Sequence, residues 1–422
     1  MGASQTHPEE AAPPASARVA RIPHTFRALR HRNFRLFISG QVISLVGTWM
    51  QNAAQSWLVY RLTHSELLLG TTWFCAQIAV FALGPLGGLV ADRISRRKVV
   101  ILTQALSMLQ ALVMGVLTLS GQVQVWHVLA LAAGLGVINA FDMPARQALV
   151  IEMTSREDLL NAISLNSAVF NAARVVGPGV AGLMVAALGE GPCFLINGVS
   201  FLAVIVCLAA MHLPKSCPRE HPPVLRQLTD GFRYAAGHSA VRRILGVMGA
   251  ATFAGMPGLV LMPFFADDIF HRGSRGYGVL MSAMGVGAVF GTLELARRTR
   301  AHGLASVMVY SGLTTGLAYL AFAASNSFYL SLAIMPVIGY SVMRQMASAN
   351  TTIQTLIPEE YRGRIMALYA MTVVGLGPFG SLATGGLAHA YGARVTMVFG
   401  GVAALAAAGI FGATLRRDPI AA

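Results

Sequence analysis

A charge pair inside an apolar segment is the part of this sequence best suited to chemistry. Asp142 and Arg146 stand four residues apart with Pro144 between them, a spacing that places both side chains on one face of a helix. Asp142 is the deepest acid in the apolar segments, so it is the first candidate for a carboxylate that exchanges protons. The alternative is a static ion pair that braces neighbouring helices.

Polar side chains inside other apolar segments could bind a small molecule. Arg174 stands near the middle of its segment, about 20 Å from the segment's start at about 1.5 Å per residue. A charge at that depth costs about 2.5 to 3.5 kcal/mol on membrane-insertion scales, so we expect it to face an interior cavity. The residues predicted to line such a cavity are Gln51, Gln55, Asn166, Asn171, Arg174 and Arg344. For each of them, the alternative is a hydrogen bond or ion pair that only joins helices.

Residue patterns for metal binding and for enzymatic catalysis are missing from the sequence. The four cysteines have no CxxC or metal-ligand spacing. No HExxH helix and no GxxxxGK(S/T) loop are present, which excludes a zinc enzyme of that type and a nucleotide-driven pump. The sequence therefore predicts that the protein is not an enzyme and binds no metal and no cofactor.

The segments that carry these residues have the composition of membrane helices. Hydrophobic residues make up 55% of the 422 residues and charged residues 11%, whereas soluble domains have about 25% charged residues. A helix that crosses a bilayer needs about 20 mainly apolar residues, so the chain has room for about a dozen. The predicted fold class is an all-α membrane protein with 12 transmembrane helices in two six-helix bundles.

One long polar stretch, rich in proline and charge, divides the apolar segments into two groups. The predicted divisions are a disordered cytoplasmic tail (1–32), an N-terminal six-helix bundle (33–211), a cytoplasmic linker (212–242), a C-terminal six-helix bundle (243–415) and a second cytoplasmic tail (416–422).

The two predicted bundles resemble each other when the sequence is shifted by 203 residues, the separation of Gly88 and Gly291. The same shift pairs Gly182 with Gly385, and each matched residue occupies the same position in its bundle. Parallel repeats of six helices are typical of membrane transporters.

The net charge of +14 is distributed unevenly between the two sides of the predicted helices. Basic residues crowd the N-terminal tail and alternate connections, whereas the other connections keep Arg61, Arg272, Arg275 and Arg394. Short basic loops stay in the cytoplasm, so we expect both termini there, in a multi-pass membrane protein. The basic residues lack the interleaved aromatics of a nucleic-acid surface, and we expect a monomer in the lipid bilayer that binds no nucleic acid.

A short basic turn follows the second apolar segment and reads Gly88-Leu89-Val90-Ala91-Asp92-Arg93-Ile94-Ser95-Arg96-Arg97-Lys98. Together with the layout of the segments and the central linker, this turn resembles motif A of the major facilitator superfamily, and the resemblance covers the chain beyond its N-terminal tail. It implies a gate formed by Gly88, Asp92, Arg93, Arg96 and Arg97. Asp92 would accept hydrogen bonds at the start of the eleventh helix, whose dipole it complements, while the arginines hold neighbouring helices. Ser95 stands where the motif has glycine.

Residues 142–207 resemble the branch of that superfamily that contains enterobactin exporters and macrolide or tetracycline efflux proteins. Within them, Gly177, Pro178 and Gly182 resemble motif C of antiporters, an element typical of exporters. The resemblance implies a secondary transporter in the bacterial cell (inner) membrane that exports a siderophore, a drug or a similar small amphipathic molecule by alternating access, in exchange for protons. A proton-coupled uptake symporter and a non-transporting membrane receptor on the same scaffold are the alternatives.

Overall fold

The computed structural model describes residues 24–211, 224–297, 303–418 and 420 of the chain. These residues are helical almost throughout, and none of them belongs to a β-strand. Ten helical segments among them are long and apolar enough to cross a membrane: Glu66–Arg93, Arg96–Leu119, Val125–Glu152, Leu159–Leu188, Gly191–Ala209, Ser239–Ile269, Gly273–Leu295, Leu304–Ala324, Glu359–Tyr391 and Ala393–Arg417. The prediction of an all-α membrane protein is confirmed.

Six long helices follow a short 3-10 helix at His24–Arg30. Their bounds are α1 Arg32–Thr63, α2 Glu66–Arg93, α3 Arg96–Leu119, α4 Val125–Glu152, α5 Leu159–Leu188 and α6 Gly191–Ala209. α1 is 32 residues long but more polar than the others, and it is not among the ten apolar segments. Proline lies inside α2, α4 and α5, which a membrane protein tolerates because neighbouring helices supply the missing hydrogen bonds.

Ten further helices occupy the described residues after 223. Their bounds are α7 Val224–Gly237, α8 Ser239–Gly255, α9 Pro257–Val260, α10 Met262–Phe264, α11 Gly273–Ala296, α12 Leu304–Ala324, α13 Phe328–Leu356, α14 Glu359–Gly375, α15 Gly377–Tyr391 and α16 Ala393–Arg417. A π-helical turn at Phe265–Ile269 follows α10. Pro257, Pro263 and Pro378 stand at the breaks between short helices because proline has no N–H to continue the hydrogen-bond ladder.

Ion pairs between helix termini define two ends of the molecule. Arg96 at the start of α3 binds Glu152 at the end of α4, and this end, where the basic turn lies, is termed the basic end. Arg61 near the end of α1 binds Glu190 just before α6, and this end is termed the opposite end. Consecutive long helices from α1 to α6 therefore run in alternate directions, as helices that cross a membrane in turn must.

Two helix pairs join α1–α6 to α8–α16 through glycines near the opposite end. In the α5–α11 pair, a Cβ atom on Gly182 would lie 2.9 Å from the Cα of Gly278. In the α2–α15 pair, a Cβ on Gly385 would lie 3.1 Å from the Cα of Gly70. Small residues let backbones approach this closely. Gly182 and Gly385, which the sequence shift pairs, thus occupy equivalent crossings.

The predicted tail and linker lie partly outside the described residues, which omit 1–23 and 212–223. Within the predicted tail, Arg27 Nε lies 3.3 Å from the carboxylate of Asp158 before α5. Within the predicted linker, α7 packs on α14, where Tyr234 stacks on Tyr361 with 4.5 Å between ring centres. Both segments therefore contact the long helices, and the predicted divisions at 32, 211, 242 and 415 stay predictions.

Candidate functional site

A cavity of about 320 Å³ lies between the two groups of helices. Trp49 of α1 and Trp73 of α2 face residues of α8, α11, α12, α13 and α16 across it, and Pro178 contributes from α5. Six methionines line it: Met248, Met256, Met281, Met284, Met343 and Met346. Because methionine is flexible and contacts aromatic rings favourably, this lining suits apolar molecules of varied shape.

Arg174 is the only charged residue among the described residues that line the cavity. It lies at the centre of α5, and its Nη1 donates to the thioether sulfur of Met343 at 3.5 Å, a weak acceptor. Its Nε and Nη2 are buried and reach no acceptor in the described part of the chain. The polar neighbours in the lining are neutral: Gln77, Thr252, Thr315, Tyr319 and Gln345. The cavity therefore has a positive charge that no acid of its lining neutralises.

Small residues of α5 hold the arginine at this boundary. A Cβ on Gly177 would lie 2.5 Å from the Cβ of Trp49, so α1 can approach this closely only because the residue is glycine. On the α11 side, the hydroxyl of Ser282 donates to the carbonyl of Val175 at 2.7 Å, and Gly182 adds its contact with Gly278 nearer the opposite end. The residues that resemble motif C thus form the surface of α5 that contacts α1 and α11.

Two amides predicted to line the cavity bind other parts of the helices instead. Gln51 donates to Gln110 Oε1 at 3.0 Å and accepts from Asn197 Nδ2 at 2.7 Å. These bonds join α1 to α3 and α6. Asn171 donates to the carbonyl of Ser167 in its own helix at 2.8 Å.

The remaining cavity candidates also lie outside the lining. Gln55 is buried in α1 and Asn166 is half-buried in α5. Arg344 Nε lies 2.8 Å from the carboxylate of Glu294, so its charge is paired between α13 and α11. Of the six predicted residues, the structure places Arg174 in the cavity.

Sequence reasoning missed most of the cavity. Trp73 and Gln77 are four residues apart on α2, a spacing that places both on one helix face. This pair was the sequence feature that could have indicated a cavity-facing side of α2. On α1, Trp49 faces the cavity and Gln51 does not, because two residues correspond to about 200° around a helix. The methionines gave no positional signal, since methionine is also common in ordinary cores.

Asp142 lies in a buried cluster that joins α1, α3 and α4. It is 1% exposed, and its Oδ1 accepts from Thr103 Oγ1 at 2.6 Å and from Gln104 Nε2 at 2.9 Å. Its Oδ2 accepts from Arg146 Nη2. Arg146 also donates to Gln41 of α1 at 3.0 Å. The carboxylate and the guanidinium therefore face each other inside the helices, away from the cavity.

The basic turn at the end of α2 links several helix termini. Arg96 Nη2 lies 3.8 Å from Asp92, while Arg96 Nη1 donates to Glu152 at 2.6 Å, so one arginine connects α2, α3 and α4. Arg97 donates to the carbonyl of Ala209 at 2.7 Å, which satisfies a free carbonyl at the end of α6. Arg93 is exposed.

A different glycine provides the close helix contact near that turn. Gly88 has open space where a Cβ would stand, whereas a Cβ on the preceding Gly87 would meet the carbonyl of Ala140 in α4. The sequence motif indicated Gly88, whereas the packing of α2 on α4 depends on Gly87.

The opposite end is held by a hydrogen bond between the two groups of helices. The hydroxyl of Tyr60 lies 2.8 Å from a carboxylate oxygen of Asp267 and 2.8 Å from one of Asp268. These acids belong to the π-helical turn at Phe265–Ile269. Trp57 of α1 also stacks on Tyr277 of α11 with 6.1 Å between ring centres. Tyr60 had no sequence signal, because its partners are more than 200 residues away.

Comparison with known proteins places the chain in a family. The profile of the transmembrane secretion effector family matches residues 24–420. The staphyloferrin A transporter of Staphylococcus aureus is 24% identical over 89% of this chain and 95% of its own length. The multidrug efflux pump Tap of Mycolicibacterium fortuitum is 28% identical over 83% and 88%. The enterobactin exporter EntS of Shigella boydii is 26% identical over 87% of both chains.

A solved structure supports the fold. A bacterial homologue of the human lysosomal transporter Spinster, in an inward-facing and occupied conformation, superposes with a TM-score of 0.70 at 14% identity, over 92% of this chain and 97% of the other. The apolar helices and these relatives establish a multi-pass membrane protein of bacterial inner-membrane type. The predicted resemblance is confirmed: the chain belongs to the transmembrane secretion effector family, a group of efflux-type transporters in the major facilitator superfamily.

Proposed function

We propose that this chain is a secondary transporter that exports a small amphipathic molecule, of the siderophore or drug class, in exchange for protons. The observation that carries the proposal is the cavity, whose methionine and tryptophan lining surrounds one arginine at the boundary of the two helix groups. The relatives named as an enterobactin exporter and a multidrug efflux pump support export as the direction.

The proposed architecture has twelve spans in two bundles of six. α1 and α13 have 32 and 29 residues, so at about 1.5 Å per residue each exceeds the roughly 30 Å hydrocarbon core. Their polar side chains turn inward, as Gln51 does in its bonds to α3 and α6. Added to the ten apolar segments, they give six spans before the predicted linker and six after it.

The proposed orientation places the basic end and both termini in the cytoplasm, because short basic connections stay on that side. The glycine crossings and Tyr60 then close the extracellular side. We therefore interpret this conformation as the one that receives substrate from the cytoplasm. Rocking of one bundle against the other around the cavity would expose the substrate outside.

Asp92 is the proposed gate of the second, outward-facing conformation. Its side chain is 30% exposed and lies beside Arg96, at the end of α2 that faces the cytoplasm in the proposed orientation. When the bundles rock, Asp92 would accept hydrogen bonds at the start of α14, where backbone N–H groups and the helix dipole favour an anion. Gly88, Arg93, Arg96 and Arg97 belong to the same proposed gate.

Proton exchange is assigned to Asp142 with Arg146 as its partner. The carboxylate is enclosed by two donors from α3 and one from its own helix α4, so a change in its protonation would alter contacts of α3 and α4 together. The same contacts also suit the alternative, a brace that never titrates. The two roles differ in the pH dependence of transport.

The experiment that tests the function uses inside-out membrane vesicles with an acidic lumen and a panel of fluorescent drugs. We expect accumulation of at least one compound, driven by the pH gradient and abolished by a protonophore, because outward-moving protons would exchange for inward-moving substrate. Vesicles without the protein are the control. Efflux from the lumen would indicate an uptake symporter, and binding without any flux would indicate a receptor; either result contradicts the proposal.

A further inference from the structure

We propose that Arg174 binds an anionic group of the transported molecule, so that the substrate is an amphipathic anion and not a cationic drug. That the bound molecule is transported rests on the proposed function, whereas the binding preference does not. It follows from the charge, the geometry and the surroundings of one side chain.

Charge balance distinguishes Arg174 from the other largely buried arginines. Four other largely buried arginines each face a carboxylate, in the pairs Arg96–Glu152, Arg146–Asp142, Arg243–Asp418 and Arg344–Glu294. Arg174 has no such partner among the described residues, and its Nη1 donates to the thioether of Met343. A buried charge is stable when an opposite charge and hydrogen bonds compensate the loss of water. An anion in the cavity would supply both.

The positions of Nε and Nη2 on Arg174 suit an anion with two oxygens. Nε and Nη2 of Arg174 lack an acceptor in the described part of the chain, and these two atoms donate side by side along one edge of the guanidinium. That edge matches the two oxygens of a carboxylate, sulfonate or phosphate in a bidentate pair. Nη1, the nitrogen that is bonded, lies on another edge.

Access to that edge requires only side-chain movement. Nε and Nη2 are covered in this conformation, so an entering anion must displace a neighbour or turn the arginine. The bond that Arg174 would give up is a single weak one to sulfur at 3.5 Å. Met343 can move aside easily because methionine has three rotatable bonds and no branch.

The rest of the cavity lining suits the apolar body of such an anion. Trp49, Trp73 and the six methionines provide an apolar surface for the body of the molecule. No aspartate or glutamate is present among the described lining residues, so a cationic solute would meet a like charge with no compensating acid. Discrimination against cations then comes from repulsion as well as from the missing partner.

The test compares three probes that share one fluorophore and differ in charge: dansylglycine, its methyl ester, and dansyl-ethylenediamine. Binding to the purified full-length protein in detergent is followed by fluorescence, without any gradient. We expect dansylglycine to bind at least about tenfold more tightly than the ester or the amine, since a hydrogen bond to a charged group is worth about that factor.

Variants localise the effect. Arg174→Gln should remove the preference for the anion, and Arg174→Lys should keep only part of it, because lysine retains the charge and loses the paired donors. Arg344→Gln is the matched control, since it removes a buried arginine that lies outside the cavity, and it should leave the preference intact. Thermal melting in detergent shows whether each variant is folded.

Equal binding of the three probes to the wild-type protein would overturn the inference without any variant, and so would a preference that survives Arg174→Gln. The proposed function fails separately. Anion preference without gradient-driven flux would refute transport and leave the site in place. Gradient-driven flux of cations alone would support transport and refute the site.

Discussion

Polar side chains inside the helices differ in whether the protein provides partners for their hydrogen-bonding groups. This difference separates structural from functional roles. Gln51 meets Gln110 and Asn197 on facing helices, whereas Arg174 keeps two donors without an acceptor among the described residues. A polar group left unsatisfied in a low-dielectric interior is costly. Such a cost is expected where a ligand supplies the missing partner.

Replacing Asp142 by asparagine tests whether this carboxylate exchanges protons. Asp142→Asn leaves the buried Arg146 without its carboxylate, and removing one partner of a buried ion pair costs about 3 to 5 kcal/mol, so the melting temperature should fall. If Asp142 exchanges protons, gradient-driven uptake should lose its dependence on lumenal pH while substrate affinity changes little. Uptake measured between pH 5.5 and pH 8 in vesicles, with melting of the purified protein, checks both.

The double variant Asp142→Asn/Arg146→Gln is the control, because it removes the unpaired charge and should recover part of the lost stability. A normal pH profile in the single variant, together with a lowered melting temperature, would identify the pair as a brace.

At the scale of helices, glycine contacts determine how closely the two groups approach. Gly385 on α15 touches Gly70 of α2, whereas the next residue, Gly386, has open space where a Cβ would stand. Both glycines occupy the same turn of one helix, yet only one of them lies in the crossing. The pair therefore provides a variant and its control at adjacent positions.

Gly385→Val should separate α2 from α15 and destabilise the conformation closed at the opposite end. Overpacking of this kind costs about 1 to 3 kcal/mol, which corresponds to about a 5- to 150-fold shift in population. Pulsed electron paramagnetic resonance between spin labels at Thr63 and Arg275 measures the separation of that end. We expect a longer distance to become dominant and uptake to slow. Gly386→Val should change neither, and equal effects of the two variants would contradict the role of the crossing.

For the whole molecule, alternating access requires two closures that are never both open at the same time. The described conformation has one of them, formed by the two glycine crossings and by Tyr60 with Asp267 and Asp268. In the proposed cycle the second closure forms at the basic end around Asp92. Its contribution should be visible only in the conformation that faces the other way.

Asp92→Asn should therefore abolish turnover while leaving membrane insertion and substrate binding intact. The asparagine amide has no negative charge. It can therefore neither be stabilised by the dipole at the start of α14 nor form the ion pair with Arg96. Uptake in vesicles, normalised to the amount of folded protein from size-exclusion chromatography, measures the effect. Lys98→Gln, a loss of charge at an exposed residue of the same turn, is the control and should transport normally. Undiminished transport by Asp92→Asn would refute the gate.

The sequence alone determined the membrane class, the helical fold and the family, because hydrophobic segment length and short motifs such as Gly88–Lys98 are local features of the chain. It also identified Arg174, because a charged residue deep in an apolar segment is recognisable from the sequence itself. The tertiary structure alone decided which polar residues face the cavity and which face each other. Trp49 and Gln51 are two residues apart on one helix. Gln51 forms hydrogen bonds to α3 and α6, whereas Trp49 lines the cavity, and only the tertiary arrangement of the helices separates these two roles. The contact of Tyr60 with Asp267 and Asp268 was equally inaccessible, since it joins helices from distant parts of the chain and no local pattern encodes their approach.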